Sequence, residues 1–285
     1  MKAQLIDGKR ISAEIKAEAA EEAAALKAKG ITPCLAVVLV GDDSASQVYV
    51  NNKKKACEAV GIRSVSHVLS GGTTEEALLE LIAKLNADRD IHGILVQMPV
   101  PKQIDERKVI LAIDPKKDVD CFHPVNVGKL HTGGEGFLPC TPAGIIELIK
   151  RSGHSIEGKQ CVVIGRSNIV GKPVAMLLMQ ENGTVTICHS KTRNLAEICR
   201  GADIIVSAVG KVNTVTADMV KEGAILIDVG MNRNEAGKLC GDVDFENVKE
   251  IAGAITPVPG GVGPMTIAML MKNCNIAAKI QNGLE

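Results

Sequence analysis

Hydrophobic and polar positions follow one another along this chain in a pattern that predicts strands separated by helices. Seven short segments are continuously apolar or alternate with a period of two, as strands do: 34–40, 62–68, 91–97, 161–164, 184–188, 203–209 and 224–229. Between them, apolar residues recur at helical spacing over 10–29, 44–60, 74–86, 142–152, 170–181 and 264–281. This order predicts an α/β fold with mainly parallel sheets and helices on both faces.

One segment interrupts the alternation and indicates a boundary between two domains. Residues 114–142 are rich in charges, glycine and proline, which is typical of a connection rather than of regular structure. We therefore expect a first domain over residues 1–140, joined by a final helix at 273–285, and a second domain over 141–272.

Composition limits the partners that the chain is expected to bind. Lys plus Arg and Asp plus Glu both number 33, and the chain has one Tyr and no Trp, so a nucleic-acid surface is not expected. No uninterrupted apolar run reaches the roughly 18 residues of a membrane helix, and residues 1–16 lack the apolar core of a signal peptide. We expect a cytoplasmic protein that binds a small polar ligand and no membrane.

Cysteine and histidine spacing gives no support for a metal site. The nine cysteines contain no CxxC pair, and the six histidines form no HExxH motif. Most cysteines fall in apolar segments, where we expect them to be small, buried and reduced.

A glycine-containing loop between a strand and a helix indicates a dinucleotide site in the second half. The loop from Gly165 to Gly171 follows strand 161–164 and precedes an apolar helix, although it lacks a full GxGxxG motif. The next strand ends in the hydroxyl-rich and basic turn 189–193, where an NAD site would have an acid. With Arg166 as a second cation, this turn suits the 2′-phosphate of NADP. The alternative is that 189–193 is an ordinary solvated loop.

The first half carries a different set of polar residues on one predicted helix. Ser46, Tyr49 and Lys53 are spaced i, i+3 and i+7, so they project from one face. A lysine held beside another polar group can exchange protons near neutral pH, and the tyrosine can orient it or pack on a flat ligand. The alternative is an exposed lysine on an amphipathic helix whose tyrosine belongs to the core.

Three further features are expected to lie near that helix. Gln97 follows strand 91–97 at the carboxyl edge of a parallel sheet, where open α/β sheets bind ligands, and is a natural partner for Lys53. Asp118 or Asp120 can accept two hydrogen bonds from an amino-substituted heterocycle, or can simply cap a turn or helix. The run ITPVPGGVGPMT at 255–266 lets backbone approach a ligand closely, or is a plain connector before the last helix.

Taken together, these residues resemble the methylenetetrahydrofolate dehydrogenase/methenyltetrahydrofolate cyclohydrolase family over nearly the whole chain. The matching motifs are SxxYVxxKxKA (46–56), GILVQMPVP (93–101), KDVD (117–120), PCTPxG (139–144), GRSxIVGxP (165–173), CHSKT (188–192), IDVGMN (227–232), GDVDF (241–245) and PVPGGVGPMT (257–266). The family pattern usually has glycine after KDVD, where this chain has Cys121. We expect a local backbone adjustment there and no lost chemistry.

The resemblance implies two domains, a folate-binding α/β domain and a Rossmann-like NADP-binding domain, with both reactions in one cleft between them. NADP-dependent oxidation of 5,10-methylenetetrahydrofolate is followed by hydrolysis to 10-formyltetrahydrofolate, as part of one-carbon metabolism and purine biosynthesis, in a homodimer. The implied catalytic residues are Lys53 as general acid/base, Tyr49, Gln97 and Asp120, which also bind folate together with Pro264. The implied NADP-binding residues are Gly165, Arg166, Ser167, Ser190 and Met231, with no metal.

Two other interpretations remain to be weighed against this one. Short-chain dehydrogenases also use Tyr-x-x-x-Lys, but there the pair follows the glycine loop, whereas Tyr49 and Lys53 precede Gly165. A silent NADP- or folate-binding module with the same fold is the second, since fold does not fix function. A binder has no evident need for the proton-transferring lysine.

Overall fold

A computed structural model of the chain describes residues 2–284, without the side chains of Ser44 and Ala45. Its strands are β1 Gln4–Leu5, β2 Cys34–Val40, β3 Arg63–Leu69, β4 Gly93–Val96, β5 Gln160–Ile164, β6 Thr184–Cys188, β7 Ile204–Ser207, β8 Ile225–Asp228, β9 Asn232–Arg233, β10 Leu239–Cys240 and β11 Ala254–Ile255. Its helices are α1 Gly8–Ala28, α2 Ser44–Val60, α3 Glu75–Ala87, α4 Glu106–Ala112, α5 Pro124–Thr132, α6 Cys140–Arg151, α7 Gly171–Gln180, α8 Leu195–Arg200, α9 Phe245–Val248 and α10 Val262–Gln281.

The described residues form two compact units. The three-stranded unit comprises Glu14–Cys140 and the residues from Ile267 onward, and the six-stranded unit comprises the residues up to Ala13 and Thr141–Thr266. The boundary between the units at 140/141 coincides with the domain boundary predicted from the sequence. The sequence predicted a first domain of 1–140 with a returning helix at 273–285. In the structure the residues up to Ala13 belong to the other unit, and the chain returns at Ile267.

The three-stranded unit is built on a parallel sheet with strand order β3-β2-β4. All seven residues of β2 are buried, which explains its continuous apolar sequence, since helices cover both faces of such a strand. One face of β2 packs against Leu78 and Ile82 of α3 and Val109 of α4 in a single apolar core. This buried strand fixes the edge at which α2 begins.

The six-stranded unit contains a fully parallel sheet with strand order β1-β11-β8-β7-β5-β6. Within Thr141–Thr266 this is the doubly wound order 2-1-3-4-5, which confirms the predicted Rossmann-like class. The strand order reverses between β5 and β7, and ligands of such sheets bind outside the carboxyl ends of the strands at that point.

The N-terminal residues belong to the six-stranded unit because β1 pairs with β11 at the edge of its sheet. A side-chain carbon on Gly8 would lie 1.8 Å from the carbonyl oxygen of Gly261, so the start of α1 packs directly on the glycine-rich loop. A two-residue strand carries too weak a periodic signal to be recognised in sequence.

One part of the chain differs from the predicted pattern. The segment predicted as an irregular connection contains α5, which has His123 as its N-cap, Pro124 in its first turn and Gly133 as its C-cap. Proline and glycine mark the two ends of this helix rather than interrupting it.

All nine cysteines are free and eight are buried, as expected from their apolar surroundings. Within residues 2–284, the helices are too short or too polar to span a membrane.

Candidate active site

Lys53 is positioned by the turn that connects β2 to α2. Asp43 caps α2 by accepting a hydrogen bond from the backbone N–H of Ser46 (2.8 Å), which fixes where the helix begins. Lys53 lies nearly three turns later and is half-buried, and Tyr49, one turn before it, is 40% exposed. The side chain of Ser46 is buried at 7% exposure, so only Tyr49 and Lys53 of the predicted helix face remain accessible.

Gln97 is the hydrogen-bond partner of Lys53. Its Oε1 accepts a hydrogen bond from Lys53 Nζ at 2.9 Å, which confirms the predicted pairing. Its Nε2 donates to the carbonyl oxygen of Met98 at 2.8 Å, so the amide is oriented with its oxygen toward the lysine. The amide oxygen of Gln97 thus fixes the position of the lysine nitrogen.

Asp120 is brought to the same edge by an extension of the sheet. Residue Asp118 forms a parallel bridge to Ile94, and the N–H of Ile94 donates to the carbonyl of Lys117 at 2.8 Å. Asp120, two residues further on, therefore lies beside the end of β4, from which Gln97 follows.

The surroundings of Asp120 alter its acidity. It lines a small cavity with largely apolar walls, formed by residues that include Met98 and Phe122. Burial raises the pKa of Asp120 to about 6, the ammonium of Lys53 lowers it and the carboxylate of Asp118 raises it further. The thiol of Cys140 lies 3.9 Å from its Oδ1. Asp120 therefore changes charge close to neutral pH.

The other charged residues of the KDVD motif have structural roles. The buried Lys117 ammonium donates to the carbonyl oxygens of Leu85 (3.0 Å) and Asp88 (2.6 Å) at the end of α3. The buried Asp118 carboxylate accepts hydrogen bonds from the N–H groups of Phe122 and His123 and from Asn126 Nδ2, at 2.8 to 3.2 Å. Of the two alternatives for these acids, Asp118 thus builds the turn before α5, and Asp120 is left for the site.

Cys121 adopts a backbone conformation that favours glycine. Its φ is +61°, in the left-handed region, and its buried thiol donates to the carbonyl of Phe137 at 3.3 Å. This conformation gives a physical reason for glycine at this position in the family pattern. The cysteine tolerates the conformation at an energetic cost of about 1–2 kcal/mol.

In the six-stranded unit, two glycines shape the loop after β5. Gly165 has a φ of +127°, and a side-chain carbon there would lie 2.4 Å from the carbonyl oxygen of Ala208 at the end of β7. A side-chain carbon on Gly171 would lie 2.3 Å from the carbonyl oxygen of Gly165. Ser167 Oγ accepts hydrogen bonds from the N–H groups of Val170 and Gly171 at 3.2 Å, which closes the loop onto the start of α7.

The remaining predicted cofactor residues lie on loops that follow the carboxyl ends of parallel strands. Arg166 follows β5, Ser190 follows β6 and Met231 follows β8, and all three are exposed. The turn after β6 is ordered, because Thr192 Oγ1 accepts from the N–H of His189 at 2.8 Å. Parallel strands place these loops on one edge of the sheet. The side chains of Arg166 and Ser190 are thus available to a phosphate.

Pro264 lies in the first turn of α10 rather than in a loop. The helix begins at Val262, two residues before its predicted start, and Pro264 is half-buried. A proline is tolerated there because the N–H groups of a first helical turn have no partner within the helix. This corrects the assignment of Pro264 to the glycine-rich loop.

Two buried aspartates that support this edge, Asp228 and Asp242, were not identified in the sequence. They belong to the IDVGMN and GDVDF motifs, and nothing in spacing alone shows that both carboxylates accept backbone N–H groups. Among residues 2–284, no three His, Cys, Asp or Glu side chains are grouped so as to hold a metal ion.

Comparison with protein families assigns both halves of the chain to one family. Residues 6–120 match the tetrahydrofolate dehydrogenase/cyclohydrolase catalytic domain, and residues 139–282 match the tetrahydrofolate dehydrogenase/cyclohydrolase NAD(P)-binding domain.

Individual relatives cover nearly the full length. The bifunctional protein FolD of Acetivibrio thermocellus is 61% identical over 281 residues, 99% of each chain. The crystal structure of the bifunctional enzyme FolD from Campylobacter jejuni has a TM-score of 0.95 at 53% identity, covering 98% of this chain and 99% of that one. A Trypanosoma brucei FolD structure, complexed with NADP cofactor and inhibitor, has a TM-score of 0.92 at 42% identity, covering 98% of both chains.

Proposed function

Because the chain belongs to the tetrahydrofolate dehydrogenase/cyclohydrolase family, we propose that it oxidises 5,10-methylenetetrahydrofolate with NADP⁺ and hydrolyses the product to 10-formyltetrahydrofolate. The observation that carries this proposal is the hydrogen bond of 2.9 Å between Lys53 Nζ and Gln97 Oε1, with Asp120 beside the same strand end. The Lys53 amine can transfer protons and is held by the uncharged amide of Gln97, an arrangement suited to hydrolysis of the cationic methenyl intermediate.

Lys53 is the general acid/base of the hydrolytic step. A water molecule attacks the methenyl carbon, so that a carbon–oxygen bond forms and the amine of Lys53 removes the proton that the water releases. The bond from that carbon to N5 then breaks as the hydroxyl oxygen forms the C=O of the formyl group. Lys53 returns its proton to N5, and the hydroxyl proton is released to solvent. Gln97 orients Lys53 through its fixed amide oxygen.

Three residues hold the folate in this proposal. Tyr49, which is accessible one turn from Lys53, positions the ring system and tunes the lysine. Asp120 accepts hydrogen bonds from the amino group of the pterin, for which its partly buried carboxylate is suited. Pro264, in the first turn of α10, is proposed as a folate-binding residue on the family resemblance.

The loops of the six-stranded unit fit a dinucleotide. When bound, NADP⁺ would supply the nicotinamide C4 to which the hydride is transferred. Gly165 lets the loop after β5 pack against Ala208 at the strand reversal, because any side chain there would meet the carbonyl oxygen of Ala208. Arg166, Ser167 and Ser190 bind its phosphates and Met231 lines the nicotinamide pocket. The hydroxyl of Ser167 keeps its bonds to α7 in this arrangement.

Substitution of Lys53 tests whether this residue acts in hydrolysis and not in NADP⁺ binding. Lys53→Met should lower hydrolysis of methenyltetrahydrofolate, followed as loss of its absorbance, by at least about a hundredfold, the usual contribution of a general acid/base. NADP⁺ affinity should stay within about twofold of wild type, since Lys53 lies outside the six-stranded unit. Lys54→Met is the matched control, because that neighbouring lysine is exposed.

Two results would contradict this assignment. Hydrolysis retained in Lys53→Met would remove Lys53 from proton transfer, and an equal loss of NADP⁺ affinity would show that Lys53 is misplaced. If wild-type protein binds NADP⁺ but forms neither NADPH nor 10-formyltetrahydrofolate, the binding-module interpretation replaces the enzymatic one.

We further propose that the chain acts as a homodimer in the cytoplasm and that its product supplies purine biosynthesis. The outermost strand β6 of the larger sheet supports the dimer, since Ile187 on it is 42% exposed and Met179 of α7 is 51% exposed. An apolar sheet edge of this kind favours pairing with a second copy. The nine free thiols support a reducing compartment.

A further inference from the structure

Asp242 is a fully buried carboxylate that joins two loops of the six-stranded unit. Its Oδ2 accepts hydrogen bonds from the N–H groups of Val209 (2.8 Å) and Gly210 (3.2 Å) and from Ser207 Oγ (3.1 Å). Its Oδ1 accepts from the N–H of Lys211 (2.9 Å) and from Asn232 Nδ2 (2.9 Å). One side chain thus fixes the turn after β7 and the segment after β8.

The turn that Asp242 fixes lies where the strand order reverses. Ala208 immediately precedes it, and the carbonyl of Ala208 is the group against which Gly165 packs. Asn232, the other partner of Asp242, immediately follows Met231. The carboxylate therefore sets the positions of two loops at the edge where an α/β sheet binds its ligand.

A second carboxylate holds Asp242 itself in place. Asp228 at the end of β8 accepts hydrogen bonds from the N–H groups of Gly230 (2.9 Å), Asp242 (2.8 Å) and Val243 (2.9 Å). A side-chain carbon on Gly230 would lie 2.2 Å from Asp242 Oδ1, and one on Gly241 would lie 1.9 Å from Asp228 Oδ2. Glycine at both positions is what lets the backbone close around the two acids.

We propose that Asp242 is a positioning residue for NADP: it preorganises the turn 209–211 and the segment 231–232, against which the nicotinamide end of the cofactor binds. This inference rests on the proposed function. Backbone N–H groups without an acceptor would turn toward water or the ligand, so loss of the carboxylate would let both loops rearrange. Ordering them would then oppose cofactor binding.

Asp242→Asn is the appropriate variant because it keeps the shape of the side chain. In asparagine an NH₂ group, which is a donor, replaces one of the two carboxylate oxygens. Whichever oxygen it replaces, at least two of the five groups that donate to Asp242 would then point at a donor. We expect the Kd for NADP⁺, measured by isothermal titration calorimetry, to rise at least tenfold. Hydrolysis of methenyltetrahydrofolate without nucleotide should stay within twofold of wild type, which a general loss of folding would not allow.

Asp244→Asn is the matched control, since the same change is made two residues away on an acid whose side chain accepts from Asn247 Nδ2. It should bind NADP⁺ as wild type does. If Asp242→Asn also loses hydrolysis, Asn232→Ala replaces it, because that change removes one donor and should raise the Kd at least threefold. Unchanged NADP⁺ affinity in a folded Asp242→Asn or Asn232→Ala protein would overturn the inference. Failure of wild-type protein to bind NADP⁺ would instead overturn the proposed cofactor site.

Discussion

Asp120 should make folate binding depend on pH within a narrow range. The pKa of this carboxyl is raised to about 6, chiefly by burial, although the ammonium of Lys53 acts in the opposite direction. The ionised form is the one that accepts charge-assisted hydrogen bonds from the pterin amino group. Affinity for the folate should therefore fall as pH decreases through 6.

The size of this effect follows from the fraction of Asp120 that is ionised. With a pKa of about 6, nearly all of the side chain is ionised at pH 7.5 and about one tenth at pH 5. If the neutral acid binds the pterin poorly, the Kd for tetrahydrofolate should be about tenfold larger at pH 5 than at pH 7.5, which corresponds to about 1.4 kcal/mol.

The assay is a titration of wild-type protein and Asp120→Asn with tetrahydrofolate at several pH values under anaerobic conditions. The variant should bind more weakly at pH 7.5 and should lose the tenfold change, because an amide does not titrate. Subtracting its profile removes the titration of the ligand itself. Asp42→Asn provides the matched control, since that acid is exposed. An unchanged pH profile in Asp120→Asn would refute the assignment of Asp120 to the folate.

Stability provides a second test of the same residue, with the opposite dependence on pH. A carboxyl whose pKa is raised on folding binds its proton more tightly in the folded state, so stability falls as pH rises from about 4 through about 6. A difference of about two pKa units corresponds to about 3 kcal/mol above pH 6. Asp120→Asn should therefore gain stability relative to wild type at pH 7 and not at pH 4, measured by urea unfolding.

Two further predictions concern Cys121 and the edge strand. Cys121→Gly should be more stable than Cys121→Ala by about 0.5–1 kcal/mol in urea unfolding. The reason is that the backbone strain of alanine at a φ of +61° outweighs the greater unfolded-state entropy of glycine. An alanine variant as stable as the glycine variant, or more stable, would contradict this strain. Ile187→Lys should convert the dimer to a monomer, measured by light scattering. The control Val68→Lys, which changes an exposed residue of β3, should leave the dimer intact. A dimeric Ile187→Lys protein would place the interface elsewhere.

The sequence predicts best what depends on local periodicity. β2 and β6 match their predicted bounds at both ends, because β2 is apolar and buried along its whole length and β6 alternates threonine with apolar residues. The pairing of Lys53 with Gln97 was also within reach, since helix spacing and the carboxyl edge of a strand place both residues. α5 was missed because the Pro and Gly that cap it also occur in irregular connections.

Contacts between distant segments lie beyond such patterns. Asp242 accepts from a turn more than 30 residues earlier in the chain, and the next residue, Val243, forms a parallel bridge to Val215. Spacing within GDVDF carries no sign of that contact. The same holds for β1, whose two residues become a strand only because β11 offers them an edge.

Hydrogen bonding separates Asp118 and Asp242 from Asp120, a difference that the sequence does not show. Asp118 and Asp242 each accept three or more hydrogen bonds from surrounding N–H and O–H groups, so these two carboxylates hold backbone in place. Asp120 instead has the thiol of Cys140 at 3.9 Å, and burial raises its pKa to about 6 although the ammonium of Lys53 lowers it. A carboxylate with acceptor capacity left over is the one suited to a ligand's donors. Within KDVD, this criterion selects Asp120 for substrate and assigns Asp118 to the fold.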